Sequence, residues 1–74
     1  MDIKKVRCYW MDMERNPQDP DGEPLHVHKS CTGEEAVALM RESALKYRMY
    51  VYTTDEQALE DFLAVYWATM EVVE

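Results

Sequence analysis

The residues of this 74-residue chain best suited to chemistry are two cysteines and two histidines, Cys8, His26, His28 and Cys31. Two thiolates and two imidazoles make a tetrahedral zinc set, and the H-x-H spacing puts both rings on one side of a strand. Two features argue against closure of such a site. The chain has no C-x-x-C knuckle, and in the stretch LHVHKSC the parity sets Cys31 in phase with Leu25 and not with the histidines. A zinc-stabilised module built on these four residues is the alternative reading; the leading expectation is a chain with no metal and no cofactor. Cys31 precedes a helix start, where a thiolate is stabilised, and His28 is close to it in sequence. Yet so short a chain leaves little room for a pocket, an oxyanion site and a positioned third group. The only glycines are Gly22 and Gly33, which excludes a glycine-rich phosphate loop, and the run Asp19, Asp21, Gly22, Glu23 lacks the full spacing and closing Glu of a calcium loop. The expectation is a protein that is not an enzyme.

The elements that would position these residues read as follows. Residues 3–13, rich in β-branched and aromatic types with Val6, Cys8 and Trp10 alternating against Arg7, Tyr9 and Met11, predict a first strand. Three prolines and a glycine make 14–24 an exposed loop. Residues 25–31 predict a second strand, with His26, His28 and Ser30 facing outward. Thr32 with Glu35 is a capping box opening a helix over 33–48, whose apolar stripe is Ala36, Val37, Met40, Ala44 and Tyr47. Residues 49–53, MYVYT, predict a third strand. Thr54 with Gln57 then opens a helix over 55–73 that contains no breaker, with Leu59, Phe62, Leu63, Tyr66, Met70 and Val73 on its core stripe. The pattern T-x-E-[E/Q]-A-[V/L] occurs at both helix starts, Thr32 and Thr54, where an Ala lets the first turn approach the sheet.

This order predicts one α+β domain, β-β-α-β-α, with a three-stranded mixed sheet and both helices packed on one face. A right-handed crossover would make the second and third strands parallel. The order of strands is open on sequence alone; the arrangement with the first strand between the other two is favoured, because it pairs that strand antiparallel to both neighbours. The uncovered sheet face would then carry Tyr9, His26, His28, Tyr50 and Tyr52.

Charge is the other strong signal. Fifteen acids against eight Lys and Arg give a net charge of −7. The last predicted helix holds Asp55, Glu56, Glu60 and Asp61, followed by Glu71 and Glu74, with no Lys or Arg among them, and Asp12 to Glu23 holds five acids against one Arg. Such a chain is poorly suited to direct contact with nucleic acid or an anionic membrane, both polyanions. At 47% hydrophobic and 31% charged the composition is that of a folded domain. No apolar run approaches the ~20 residues of a membrane span. The opening MDIKKVRCYW has no apolar centre of an export signal, and two cysteines make no disulfide scaffold, so an intracellular, cytoplasmic chain is expected.

The outer side of the last helix is the expected binding surface. Trp67 among Glu60, Ala64 and Glu71 has the make-up of an interface centre, with Glu56, Asp61, Tyr50 and Tyr52 as further contacts. Ala58, Val65, Ala68 and Val72 form a second apolar track. Because so small a core is marginal alone, that track is expected to carry a homodimer; a self-associating structural domain is the third reading.

In the corners KSCTGEEAVALM and VYTTDEQALEDF, in size and in acidity, the chain resembles the small accessory proteins of phages and other mobile elements, including inhibitors of the anti-CRISPR type. The resemblance spans residues 29–63. It implies stoichiometric binding to a host protein with a basic, nucleic-acid-binding surface, in the host cytoplasm.

Overall fold

The computed structural model describes residues 2–73; Glu74, counted above among the acids, lies outside them. After a single 3₁₀ turn at Ile3–Lys5, the chain forms β1 (Val6–Glu14), β2 (Leu25–Thr32), α1 (Gly33–Ser43) with a π-helical turn (Ala44–Arg48), α2 (Asp55–Tyr66) and β3 (Thr69–Val72). The α+β class, the first two strands and the starts of the two helices agree with the sequence, whereas the third strand is Thr69–Val72 and not 49–53, and the sheet is not mixed. The order is β-β-α-α-β, and the sheet is antiparallel throughout, with strands arranged β2-β1-β3. β1 is central, as favoured; its second partner is a different segment.

Two departures have clear causes. Residues 49–53 are not a strand. The carbonyl of Tyr52 accepts from Arg41 Nη1 at 2.8 Å, where a sheet would offer a ladder N–H, and the Tyr52 hydroxyl accepts from Arg48 Nη2 and donates to Asp61 Oδ2, each at 2.7 Å. These bonds fold the segment into a tight link that carries Tyr52 into the core. The predicted helix 55–73 ends at Tyr66. Trp67 adopts left-handed backbone (φ 54, ψ 39), and the N–H groups of Trp67 and Ala68 both return to the Leu63 carbonyl, closing the helix without a glycine. The β-branched run after it turns back along β1, pairing Tyr9 with Thr69 and Val6 with Val72.

Both capping boxes are positioned as predicted at their N-cap side chains. The Thr32 hydroxyl accepts from the Glu35 N–H at 3.1 Å while the Thr32 N–H donates to Glu35 Oε1, and the Thr54 hydroxyl accepts from the Gln57 N–H. The Gln57 amide reaches back to Thr53 and not to Thr54. The core lies between the helices and one sheet face: Val6 and Cys8 from β1, Ala36, Val37, Met40 and Ala44 from the first helical stretch, Tyr52 from the link, and Ala58, Leu59 and Phe62 from α2. Trp10 packs edge-on to Phe62 at 5.4 Å between centroids. Gly33 is required here, because a Cβ at that position would lie 2.4 Å from the Ile3 carbonyl oxygen.

The core reaches only to Trp10 along β1. Beyond it the hairpin continues as an arm, which gives the Cα trace extents of 43 × 34 × 15 Å and a radius of gyration of 14.4 Å, against about 11 Å for a compact chain of this length. One sheet layer and one helix layer leave the second sheet face uncovered.

Candidate interaction surface

Trp67 is the most conspicuous side chain on the surface, 90% exposed. Left-handed backbone costs a bulky residue roughly 1–2 kcal/mol relative to its preferred regions, and helices use Gly or Asn at this place to avoid that cost. The chain therefore holds a large aromatic in solvent on backbone that disfavours it. Beside it lies a cleft of about 270 Å³ lined by Tyr9, Trp10, Met11, His28, Lys29, Trp67 and Thr69.

The register explains why a cleft forms there. β3 pairs with β1 only from Val6 to Tyr9, so on that side β1 has no neighbouring strand from Trp10 to Glu14 among the described residues. This leaves a strand edge without a ladder partner, on which the Met13 N–H donates to Asp12 Oδ1 at 2.9 Å. By the alternation of β1 and its partners, the uncovered face carries Arg7, Tyr9, Met11 and Met13 opposite Ser30, His28 and His26, with Thr69 and Glu71 on the β3 side. Tyr9 donates its hydroxyl to Glu71 Oε1 at 2.9 Å, and this bond to the carboxylate raises the Tyr9 pKa. Met11 and Met13 are 51% and 63% exposed. At the inner side of the arm, Lys29 bridges Glu14 at 2.8 Å and Asp12 at 3.3 Å. The indole N–H of Trp10, between this cleft and the core, is buried and has no acceptor among the described residues.

The residues expected to bind a partner are dispersed by this fold. Glu56 and Glu60 are exposed on the outer stripe of α2 that leads through Ala64 to Trp67. Asp61 is drawn inward by Tyr52, and Tyr52 is buried, its pKa raised by desolvation and by the bond to Asp61. Tyr52 is therefore closed to contact, while Asp61 is half-buried. Tyr50 is exposed and packs edge-on against Tyr52 at 5.0 Å. Glu71 is on β3, on the open sheet face, and not on a helix.

The expected dimer track is corrected in the same way. Ala58 is fully buried in the chain's own core, Ala68 packs against that core, and Val72 is on β3, so with exposed Val65 they form no continuous helical face. The four candidate zinc ligands divide between the two sides of the sheet. Cys8 and Cys31 pair on the helix-covered face, whereas His26 and His28 project from the other, so they cannot close on one ion. The described residues hold no cluster of three or more potential metal ligands, and none of their helices is long and apolar enough to cross a membrane.

The arm itself went unrecognised in the sequence, though Met11 and Met13 facing His28 and His26 could have signalled an apolar strand face with no core beneath it. No family model matches the chain, and the searches of curated proteins and of solved structures give no significant match.

Proposed function

We propose that this chain is a non-enzymatic, acidic protein-binding module, an inhibitor-type protein that docks on a basic partner surface through Trp67 and the adjoining arm. The observation that carries the reading is Trp67, exposed on disfavoured backbone beside a free strand edge. A fold stabilised for its own sake would place glycine there. Exposed aromatics of this kind supply the dominant anchors of protein interfaces. The edge of β1 from Trp10 to Glu14 offers main-chain bonds to an extended partner segment, apart from the Met13 N–H, which Asp12 Oδ1 already holds at 2.9 Å. The acids of the hairpin tip, Asp19, Asp21 and Glu23, together with Glu60, favour a positively charged surface. Phage-encoded inhibition of a nucleic-acid-binding host protein is the biological setting that best fits this chemistry.

The test is comparative capture from host extracts with the parent chain, Trp67→Gly and Met49→Gly. Met49 is also left-handed (φ 51) and 90% exposed, so its replacement relieves the backbone equally without touching the cleft. A partner retained by the parent and by Met49→Gly but lost by Trp67→Gly supports the reading. Equal retention by all three sinks it.

A further inference from the structure

Cys8 and Cys31 are directly opposite each other in the antiparallel register of β1 and β2. Residues so paired have Cα atoms about 4.5–5.5 Å apart, inside the range a disulfide spans. Both side chains lie on the helix-covered face of the sheet, Cys8 in the core and Cys31 packed against it. Both are free, Cys8 fully buried and Cys31 half-buried. Cys31 lines a second cleft, of about 290 Å³, bounded also by Trp10, Glu35, Ala36, Leu39, Phe62 and Tyr66. Reagents in solvent therefore reach the pair from the Cys31 side.

We infer that Cys8 and Cys31 form a redox modification site, a cross-strand thiol pair that a small disulfide oxidant such as oxidised glutathione closes into a bridge within the folded chain. The Cys31 thiolate attacks one sulfur of the oxidant, forming a mixed disulfide and expelling one glutathione thiolate. The Cys8 thiolate then attacks the Cys31 sulfur and expels the second. Both thiol protons leave with the two glutathiones, and the oxidant's S–S bond is replaced by the protein's. Burial raises both thiol pKa values; at Cys31, taken to about 11, the neighbouring Cys8 and Glu35 add to the rise and Arg7 opposes it. The thiolate fraction is small at neutral pH, so closure is slow there and quickens about tenfold per pH unit below the thiol pKa.

Closure joins the two strands at the base of the arm and fixes their register. By linkage, a fold that holds the thiols together favours the bridge by the same factor by which the bridge favours the fold. The native chain is equilibrated against a series of oxidised-to-reduced glutathione ratios, alongside the same chain in denaturing urea, and bridge formation is read by intact mass and non-reducing peptide mapping. The expected result is a bridge constant at least about tenfold larger for the native chain, with a higher melting temperature for the bridged form. A native constant equal to or below that in urea overturns the inference. In native Cys31→Ser, Cys8 should take up no glutathione, and uptake there overturns the assignment of Cys31 as the entry thiol; if this variant does not fold, the native-to-urea comparison alone decides.

Discussion

At the scale of single residues, the fold separates side chains used for stability from those left for contact, and Tyr52 and Trp67 are the clearest pair. Tyr52 is the buried centre of a bond network joining Arg48 to Asp61, with Arg41 holding its carbonyl and also Asp55 at 2.9 Å. Replacing Tyr52 by Phe should destabilise the chain by about 1–3 kcal/mol, since both partners lose a part-buried bond. The same residue sets an alkaline limit. Its folded pKa is raised above the ordinary 10.0, chiefly by desolvation, so folding favours the neutral phenol. That contribution is fully present below pH 10 and is lost as pH rises through the folded value. Chemical denaturation across that window should show a fall in stability that Tyr52→Phe lacks; an equal fall in both would assign it to other groups. Trp67 predicts the opposite behaviour. Trp67→Gly removes the left-handed penalty and few contacts, so thermal melting should be unchanged or raised, by up to about 1 kcal/mol, while partner binding is lost. A large drop in melting temperature would show that the indole supports the fold.

At the scale of elements, the helix starts were legible in the sequence and the helix end was not. Thr32 and Thr54 carry their caps in side chains that can be read by type and spacing, and Thr32→Ala should cost about 1 kcal/mol in thermal or denaturant unfolding; no loss would mean that the Glu35 bonds are replaced by water at no net cost. The end of α2 has no such mark. It depends on Trp67 taking a conformation that its residue type disfavours, so TMEVV continued the helical stripe on paper. The competing signal was present in Thr69, Val72 and Val73, β-branched residues that suit a strand, with Met70 alternating inward against Thr69 and Glu71. Met70 does pack against the core, with the period of a strand and not of a helix. Residues 49–53 show the converse error. Tyr50 and Tyr52 alternate as in a strand, but the side-chain bonds of Arg41, Arg48 and Asp61 to Tyr52 decide the segment's path, and such bonds follow no spacing that the alternation of residue types reveals. The candidate surface was legible only at its anchor. Trp67 is marked by its neighbours in sequence, whereas the strand edge beside it exists because β3 begins only at Thr69, opposite Tyr9, a fact of pairing alone.

At the scale of the whole molecule, the distribution of bonded acids changes how charge must act. Asp12, Glu14, Asp55, Asp61 and Glu71 are engaged by Lys29, Arg41, Tyr52 and Tyr9, so much of the acidic count serves internal bonds and not a continuous anionic face. Charge reversal at Asp61 should therefore disturb the fold, and is unsuited to probing steering. The hairpin tip is better placed. Asp21 and Glu23 are exposed near the end of the arm that leads to the free strand edge, and charges so placed act on the encounter before contact is made. Reversing both to Lys should slow association with a basic partner, by about tenfold at low salt, and flatten its salt dependence, because steering fades as the Debye length shortens from about 10 Å at 0.1 M towards 3 Å at 1 M. Dissociation should change little, since these residues form the rim, while Trp67→Gly should act mainly on dissociation. Association and dissociation rates measured across a salt series with both variants separate the two effects. If the tip reversal leaves association unchanged and substitutions at Lys4, Lys5 and Arg7 slow it, the partner is acidic and meets the opposite end of β1.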